Sequence, residues 1–465
     1  MKQNISSTIH PASFRDRSGF IFTVNKEVYR QINNIYKDEY EKLMKSGLYD
    51  ELTGKNYLLK HEEVSPDLLS GPDGYKVIKP QLVDFIIYPY EWSFSMLKDA
   101  AILLLNIQIT ALNYGMTLKD ASAYNIQFSH TGPVLIDTLS FETYNEGEAW
   151  KAYGQFCRHY LAPLALMYHI DNRMIRLLKD YIDGIPLDLA SKLLPGKTRF
   201  NFGIQTHIHL HSKFRKNYSS GEIDKYKKKI SKTGLLGIID NLKNTLKKMN
   251  FRPGESIWND YSRNSNYTED AFENKREIVN DILDYLSVEA GGNIIWDIGC
   301  NTCTFSKIAV EKGFEVRAMD SEHDVIEINY NKHIKGIDVF VCDITNPSGG
   351  VGWLNHERES LLDREKPDII LALALIHHLV ITSGIPFRKI AEGFNEISNW
   401  ALIEFVKPED SQIKRMLQNR GNDFDDYNTD NFEMEFGKFF DIIIKKQIVN
   451  SERIVYLFKK RIDSK

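Results

Sequence analysis

In the second half of the chain, short apolar runs alternate with longer segments whose apolar positions recur every three or four residues. Runs at 294–298, 315–319, 339–342, 368–373 and 401–406 are rich in Val, Ile, Leu and aromatics. Such continuous runs mark strands buried on both faces. Between them, 304–311 and 387–397 have helical length and spacing. Alternating strands and helices predict a parallel sheet with right-handed crossovers, a doubly wound α/β domain. The first half has another rhythm. Residues 20–24 and 28–32 flank Asn25 and Lys26, predicting two strands around a tight turn. A helix is predicted over 35–45, two more strands within 75–88, and a long helix over 93–114, which holds no Pro or Gly. Strands followed by helices predict an α+β arrangement.

A length of 465 residues exceeds what one core usually organises and predicts two domains. With 42% hydrophobic and 26% charged residues, the chain is not of a disordered, collagen-like or disulfide-scaffold class, and four cysteines do not make a disulfide framework. The opening residues lack the apolar core of a secretory signal. The longest apolar stretch, 100–109, is broken by Asn106 and Gln108. That falls short of the roughly 18–20 residues of a bilayer span, so the expectation is a cytoplasmic chain without a membrane span. Net charge is −4, but 213–250 carries eleven Lys and Arg against three acidic residues. Within it Leu235, Ile238, Ile239, Leu242 and Leu246 recur at helical spacing. This predicts a basic, partly helical connector: either a solvated face or a surface for an anionic polymer. The expected organisation is a first domain over 1–200, a connector over 201–250 and a second domain over 251–465.

The most specific feature is the strand-to-turn sequence Asp297-Ile-Gly-Cys-Asn-Thr-Cys303. A turn with little side-chain bulk lets backbone approach a nucleotide-like ligand closely. The next strand ends at Asp320, 23 residues after Asp297, where an acidic side chain reaches ribose hydroxyls. The third ends at Cys342 and Asp343, and the fourth runs through Leu373 into His377 and His378. These residues resemble the class I S-adenosylmethionine-dependent methyltransferases, whose first motif reads Asp-x-Gly-Cys-Asn-x-Gly. The resemblance covers about 258–465 and implies a Rossmann-like doubly wound sheet. It implies cofactor contacts from Asp297, Gly299, Cys300, Asn301, Asp320, Asp343 and Leu373, with Asp343 receiving the adenine amino group. It departs at Cys303, where the family has glycine and a thiol would stand beside the methionine portion of the cofactor. His377, or else His378, is the candidate general base or positioning group, since a neutral imidazole takes a proton near pH 7. Trp258, Tyr261, Tyr267 and Lys275 fit an entry segment closing over the cofactor, Gly352–Arg358 a substrate lid, and Glu404 a site-facing strand end. A Cys300-Cys303 zinc or redox pair is the weaker reading, because zinc needs two more ligands.

The first half holds a second pattern. Asp120 and Asn125 lie five apart, and Asp137 follows twelve later at the end of an apolar strand. This resembles the protein-kinase catalytic loop, in which one aspartate orients the hydroxyl nucleophile while asparagine and a second aspartate hold magnesium. The resemblance implies a catalytic role for Asp120, a magnesium site at Asn125 and Asp137, and ATP as ligand. Tyr88-Pro-Tyr-Glu-Trp92 is placed at the hinge, and Lys76 or Lys79 as the phosphate-binding lysine. The glycine-rich loop is missing, Leu118 replaces the expected histidine, and Thr138-Leu139 follow Asp137. His207, His209 and His211 share one face only if extended, which would permit metal binding; a packed helix start or strand is the other reading.

Tyr88–Trp92, Thr117–Ser122, Ile136–Glu142, His207–His211 and the Gly352-Trp353 segment are together similar to a bacterial group of methyltransferases described as nodulation-protein-like. The expected fold class is therefore a C-terminal Rossmann-like α/β domain preceded by an α+β kinase-like domain. The expected function is methyl transfer from S-adenosylmethionine to an unidentified acceptor, with the first domain in substrate binding or docking. A glycan or a small molecule suits the resemblance, while the basic run keeps RNA and protein open. Two alternatives stand beside it: a bifunctional kinase-methyltransferase using ATP and Mg2+, and a non-catalytic scaffold whose cofactor turn is spoiled by Cys303.

Overall fold

The computed structural model describes residues 7–68, 71–129, 132–212, 229–251, 267–418 and 424–461. They form two compact units. The first comprises Met1–Phe251 together with Gly350–Glu359, the second Arg252–Gly349 and Ser360–Lys465.

The first unit opens with an antiparallel sheet of strands β1 (Ser7–Ile9), β2 (Gly19–Val24), β3 (Glu27–Asn33), β4 (His61–Val64) and β5 (Gly74–Pro80), in the order β1-β2-β3-β5-β4. Asn25 and Lys26 both take positive φ, 50° and 68°, the two-residue hairpin turn whose twist matches the flanking strands. Helices α1 (Lys37–Lys45) and α2 (Leu48–Gly54) follow β3, and α3 spans Phe94–Asn113. Beyond α3, β6 (Met116–Leu118) pairs with β9 (Phe141–Thr143), and β7 (Ile126–Ser129) with β8 (Gly132–Leu135).

One expectation needs correction here. Only β5 forms within 75–88; it stops at Pro80, which has no N–H to extend a ladder. By length and composition α3 is apolar enough to cross a bilayer, with mean hydropathy 1.3, but 67% of that window is buried inside the protein. It is the long helix expected over 93–114, with the polar Asn106 and Gln108 inside it. Lys232–Lys247 is helical and packs against α3. Its apolar stripe Leu235, Ile239, Leu242 and Leu246 is buried, and Lys243 donates to Asn106 at 2.6 Å. Residues 213–228, which carry most of the basic run, lie outside the described residues.

The second unit is a mixed α/β structure around a seven-stranded sheet. Its strands are β10 (Ile294–Ile298), β11 (Glu315–Asp320), β12 (Ile337–Val341), β13 (Ile369–Ala372), β14 (Trp400–Val406), β15 (Phe440–Gln447) and β16 (Arg453–Lys460), in the order β12-β11-β10-β13-β14-β16-β15. The first five are parallel; β16 runs antiparallel to both β14 and β15. Successive residues feed two cores. Ile295, Val316, Val339, Ile369 and Leu402 join a cluster with Ile278 and Ile282 of the helix Glu269–Glu289. Phe405, Tyr456 and Phe458 meet Phe432, with Phe405 stacked on Phe432 at 4.6 Å. Burial on both faces is why these strands read as continuous apolar runs. The order reverses between β10 and β13, the switch point at which open α/β sheets bind ligands beyond their strand ends.

Candidate functional site

At that switch point β10 delivers Asp297 and Gly299. Asp297 is buried, and its carboxylate accepts from the Ser306 hydroxyl at 2.5 Å, tying the turn to the helix Thr304–Glu311. Burial pushes it up to about 6, and the nearby Asp320 charge adds to this. Gly299 takes φ 77°, Asn301 φ 45° and Cys303 φ 57°. Three left-handed residues in five make the turn sharp, and at Cys303 this conformation costs about 1–2 kcal/mol that glycine would not incur. The Cys303 side chain is fully buried in the apolar cluster with Cys300 and Ala309. Both thiols face the core, and Cys303 has no exposed surface from which to crowd a ligand.

Asp320 ends β11. Its Oδ2 accepts from Asn301 N–H at 3.2 Å and its Oδ1 from Glu322 N–H at 3.0 Å, so the carboxylate itself braces the glycine-containing turn. Burial raises its pKa, and these two N–H donors oppose the rise. Asp343 follows β12 and accepts from the backbone and hydroxyl of Thr345 at 2.9 and 2.6 Å. Leu373 is buried just past β13, before Ala374 at φ 57°. His377 is buried and His378 exposed, their rings 4.2 Å apart. The Nδ1 of His377 has no hydrogen-bond partner. Burial, His378 and Arg453 lower its pKa to about 3, so the imidazole is neutral at any physiological pH.

A buried charge network that the sequence did not assemble stands beside these residues. Glu404 of β14 has no exposed surface, and it receives Lys275 Nζ at 2.6 Å, Arg453 at 3.2 Å and the Tyr267 hydroxyl. Arg453 also reaches Asp410 at 3.3 Å and lies over the Tyr267 ring at 4.3 Å. Although burial pushes Glu404 up, Lys275 and Arg453 hold it down at about 2. Tyr267, Lys275 and Glu404 were each candidates; their mutual pairing, with Arg453 and Asp410, needed the fold. Trp258 and Tyr261 lie outside the described residues.

In the first unit, Asp120, Asn125 and Asp137 line one cavity of about 1100 Å3. Asp120 accepts from Ser122 N–H at 2.9 Å, and burial followed by the Asp137 charge raises its pKa. Asp137 binds Arg30 of β3 at 2.5 Å and accepts from the Ser140 hydroxyl at 2.7 Å. The cation facing these carboxylates is therefore Arg30. Lys76 and Lys79 are paired elsewhere, with Glu63 at 2.6 Å and Glu27 at 2.7 Å.

Gly350–Glu359 is part of this unit. Glu357 is buried against Arg15 at 2.7 Å, Arg358 lies over the Tyr124 ring at 4.4 Å, and Glu359 N–H donates to the Tyr88 hydroxyl at 3.0 Å. All six residues line the cavity or its rim. His207 and His209 fall in a helical turn, Gln205–Leu210, with separate partners. His207 meets Tyr153 and Asn241, and His209 meets Ser191 and Thr198. Among the described residues no group of three or more His, Cys, Asp or Glu side chains is arranged to hold a metal ion.

No protein-family model matches the chain. It is 29% identical over 462 residues to Nodulation protein NoeA of Rhizobium meliloti (strain 1021), covering 96% of this chain and 95% of that protein. Among solved structures it is similar to the N-methyltransferase NodS of Bradyrhizobium japonicum WM9 in complex with S-adenosyl-L-homocysteine, at 13% identity and TM-score 0.32, over 44% of this chain and 97% of that one. It is similar to magnesium protoporphyrin IX methyltransferase (ChlM) of Synechocystis PCC 6803, at 11% identity and TM-score 0.31, over 44% and 94%. The bifunctional kinase-methyltransferase WbdD gives 13% identity and TM-score 0.28, over 40% and 39%.

Proposed function

We propose that the second unit is a methyltransferase using S-adenosylmethionine, and that the first unit binds or docks the acceptor, a glycan or small molecule. The observation that carries this is Asp320, a buried carboxylate at a parallel strand end that braces a left-handed, glycine-containing turn at the sheet's switch point. The donor set fits the cofactor: one carboxylate for ribose hydroxyls, Asp343 for the adenine amino group, and a compact turn at Gly299, Cys300 and Asn301 for close backbone approach. Leu373 supplies an apolar edge. When bound, the cofactor supplies the electrophilic methyl group. The buried, neutral His377, whose Nδ1 has no partner among the described residues, is the group that orients an acceptor hydroxyl or amine.

Transfer of labelled methyl into a fractionated cell extract, with and without magnesium ATP, tests the reading and names the acceptor class. Protein that binds neither S-adenosylmethionine nor S-adenosylhomocysteine would instead be the non-catalytic scaffold. His377→Ala is expected to slow transfer about 10²-fold, the usual cost of a misplaced acceptor, without changing S-adenosylhomocysteine affinity. Because His377 is protonated only near pH 3, it contributes no loss of rate between pH 8 and 5. A loss setting in below the ordinary imidazole range, the direction in which His378 is shifted, that disappears in His378→Ala would move the role to His378.

A second reading, phosphorylation as well as methylation by one chain, is favoured by the convergence of Asp120, Asn125 and Asp137 in one cavity. Asp120 would orient the acceptor hydroxyl, and Asn125 and Asp137 would hold magnesium. Occupancy by magnesium requires Asp137 to give up Arg30. Under this reading the wild type binds magnesium ATP measurably in calorimetry and Asp137→Ala does not; equal binding by both would remove Asp137 from the site.

A further inference from the structure

Along the wall of the first unit's cavity that passes Ile86 and Tyr88, the main-chain N–H groups of Ile87 and Tyr88 are already used. Ile87 N–H donates to the Gln127 side chain at 3.0 Å, and Ile87 C=O accepts from the Trp92 indole at 3.0 Å. Tyr88 N–H donates to the Glu91 carboxylate at 2.9 Å, and Tyr88 C=O accepts from Glu91 N–H at 2.8 Å. A heterocycle entering here meets no unused N–H donor on these two residues, and displacing the pairs would leave buried polar groups unsatisfied.

What the same wall does offer is side-chain surface. Tyr88 and Tyr124 are both buried, their rings edge to face at 6.0 Å, and Ile86 and Ile136 line the cavity beside them. The Arg358 guanidinium covers the Tyr124 ring and is fixed by its own bond to the Glu357 carbonyl at 2.9 Å. The loop that carries it is built for the position. Val351 bridges Arg358, Gly352 takes φ 85° where a Cβ would strike Glu357 at 2.5 Å, and Glu357 is locked to Arg15. A planar guanidinium held over an aromatic ring is a surface on which a flat heterocycle stacks, with an attraction that every base shares.

We propose that Arg358, with Tyr124 and Tyr88, is the base-contact element of this cavity, and that it holds a magnesium nucleoside triphosphate by stacking, with little discrimination between bases. The inference rests on the nucleotide reading of the cavity given above. Sites that read a base by hydrogen bonds reject the wrong one by orders of magnitude, whereas stacking does not. Arg358 lies more than 200 residues from Asp137 in sequence, in the stretch between β12 and β13, so nothing local in the chain marks it as a ligand residue.

The test is calorimetry of the full chain with magnesium ATP and magnesium GTP, S-adenosylhomocysteine binding serving as the control for a folded second unit. The expected result is affinities for the two nucleotides within about threefold of each other. Arg358→Ala should weaken both by about tenfold or more, and Arg358→Lys, which keeps the charge but not the plane, should not restore them. A hundredfold preference for one purine, or unchanged affinity in Arg358→Ala, would overturn the proposal and leave the nucleotide reading standing. Failure of the wild type to bind either nucleotide would overturn both. Tyr88 and Tyr124 are checked independently: Tyr124→Phe keeps the ring face and should bind as wild type, while Tyr124→Ala should follow Arg358→Ala.

Discussion

Asp320→Ala is expected to abolish detectable S-adenosylmethionine binding in calorimetry while the second unit stays folded. A carboxylate accepting two ribose hydroxyls makes two charge-assisted hydrogen bonds, each worth about 1.5–3 kcal/mol. Their joint loss amounts to about 10²- to 10⁴-fold in affinity at 1.4 kcal/mol per decade. The same side chain also receives Asn301 and Glu322 N–H, so its removal slackens the turn that approaches the cofactor. Both effects act in one direction. Asp320→Asn separates them, because it retains an acceptor oxygen for the turn while losing the charge; its affinity should fall between the two. Unchanged affinity in Asp320→Ala, with circular dichroism as for the wild type, would sink the ribose assignment.

The second large effect is on stability. Glu404→Ala leaves Lys275 and Arg453 buried with their central anion gone, only Asp410 remaining for Arg453. Removing one partner of a buried ion pair typically costs about 3–5 kcal/mol. In a unit of this size that corresponds to a drop in Tm of about 10 °C. The doubly changed Glu404→Leu, Lys275→Met protein should recover only the Lys275 part of the loss, since Arg453 stays buried with Asp410 alone. Scanning calorimetry in which Glu404→Ala melts within 2 °C of the wild type would show that the cations find water, contrary to the burial of all three groups.

The parallel strands β10 to β14 were legible because burial on both faces leaves nothing polar to interrupt them. β15 was not: it is an edge strand with Ile442 and Ile443 exposed and Lys445, Lys446 and Gln447 following, a mixture that carries no period. The turn after β10 was legible because its constraints are local, a run of left-handed residues between a strand and a helix. The Glu404 network was not, because its partners come from four distant segments, around 267–275, 404, 410 and 453. Asp120, Asn125 and Asp137 kept their spacing in sequence and so could be grouped, but the cation opposite them could not. Lys76 and Lys79 and Arg30 all lie on adjacent strands β5 and β3, and only the pairing of those strands decides which one faces the carboxylates.

The segment 350–359 has a consequence for how this gene can be cut or recombined. It leaves the second unit through a closed neck, where Leu361 N–H bonds Ser348 C=O at 2.9 Å, and inside that neck Val351 and Arg358 bridge each other. A chain truncated after Phe251 would therefore be an incomplete first unit, with Arg15 deprived of its carboxylate and Tyr88 of its backbone donor. The second unit, by contrast, can have the excursion excised and the neck joined by a short glycine turn. An exchange of the first half for that of a relative is therefore expected to fold only when these ten residues are carried along with it.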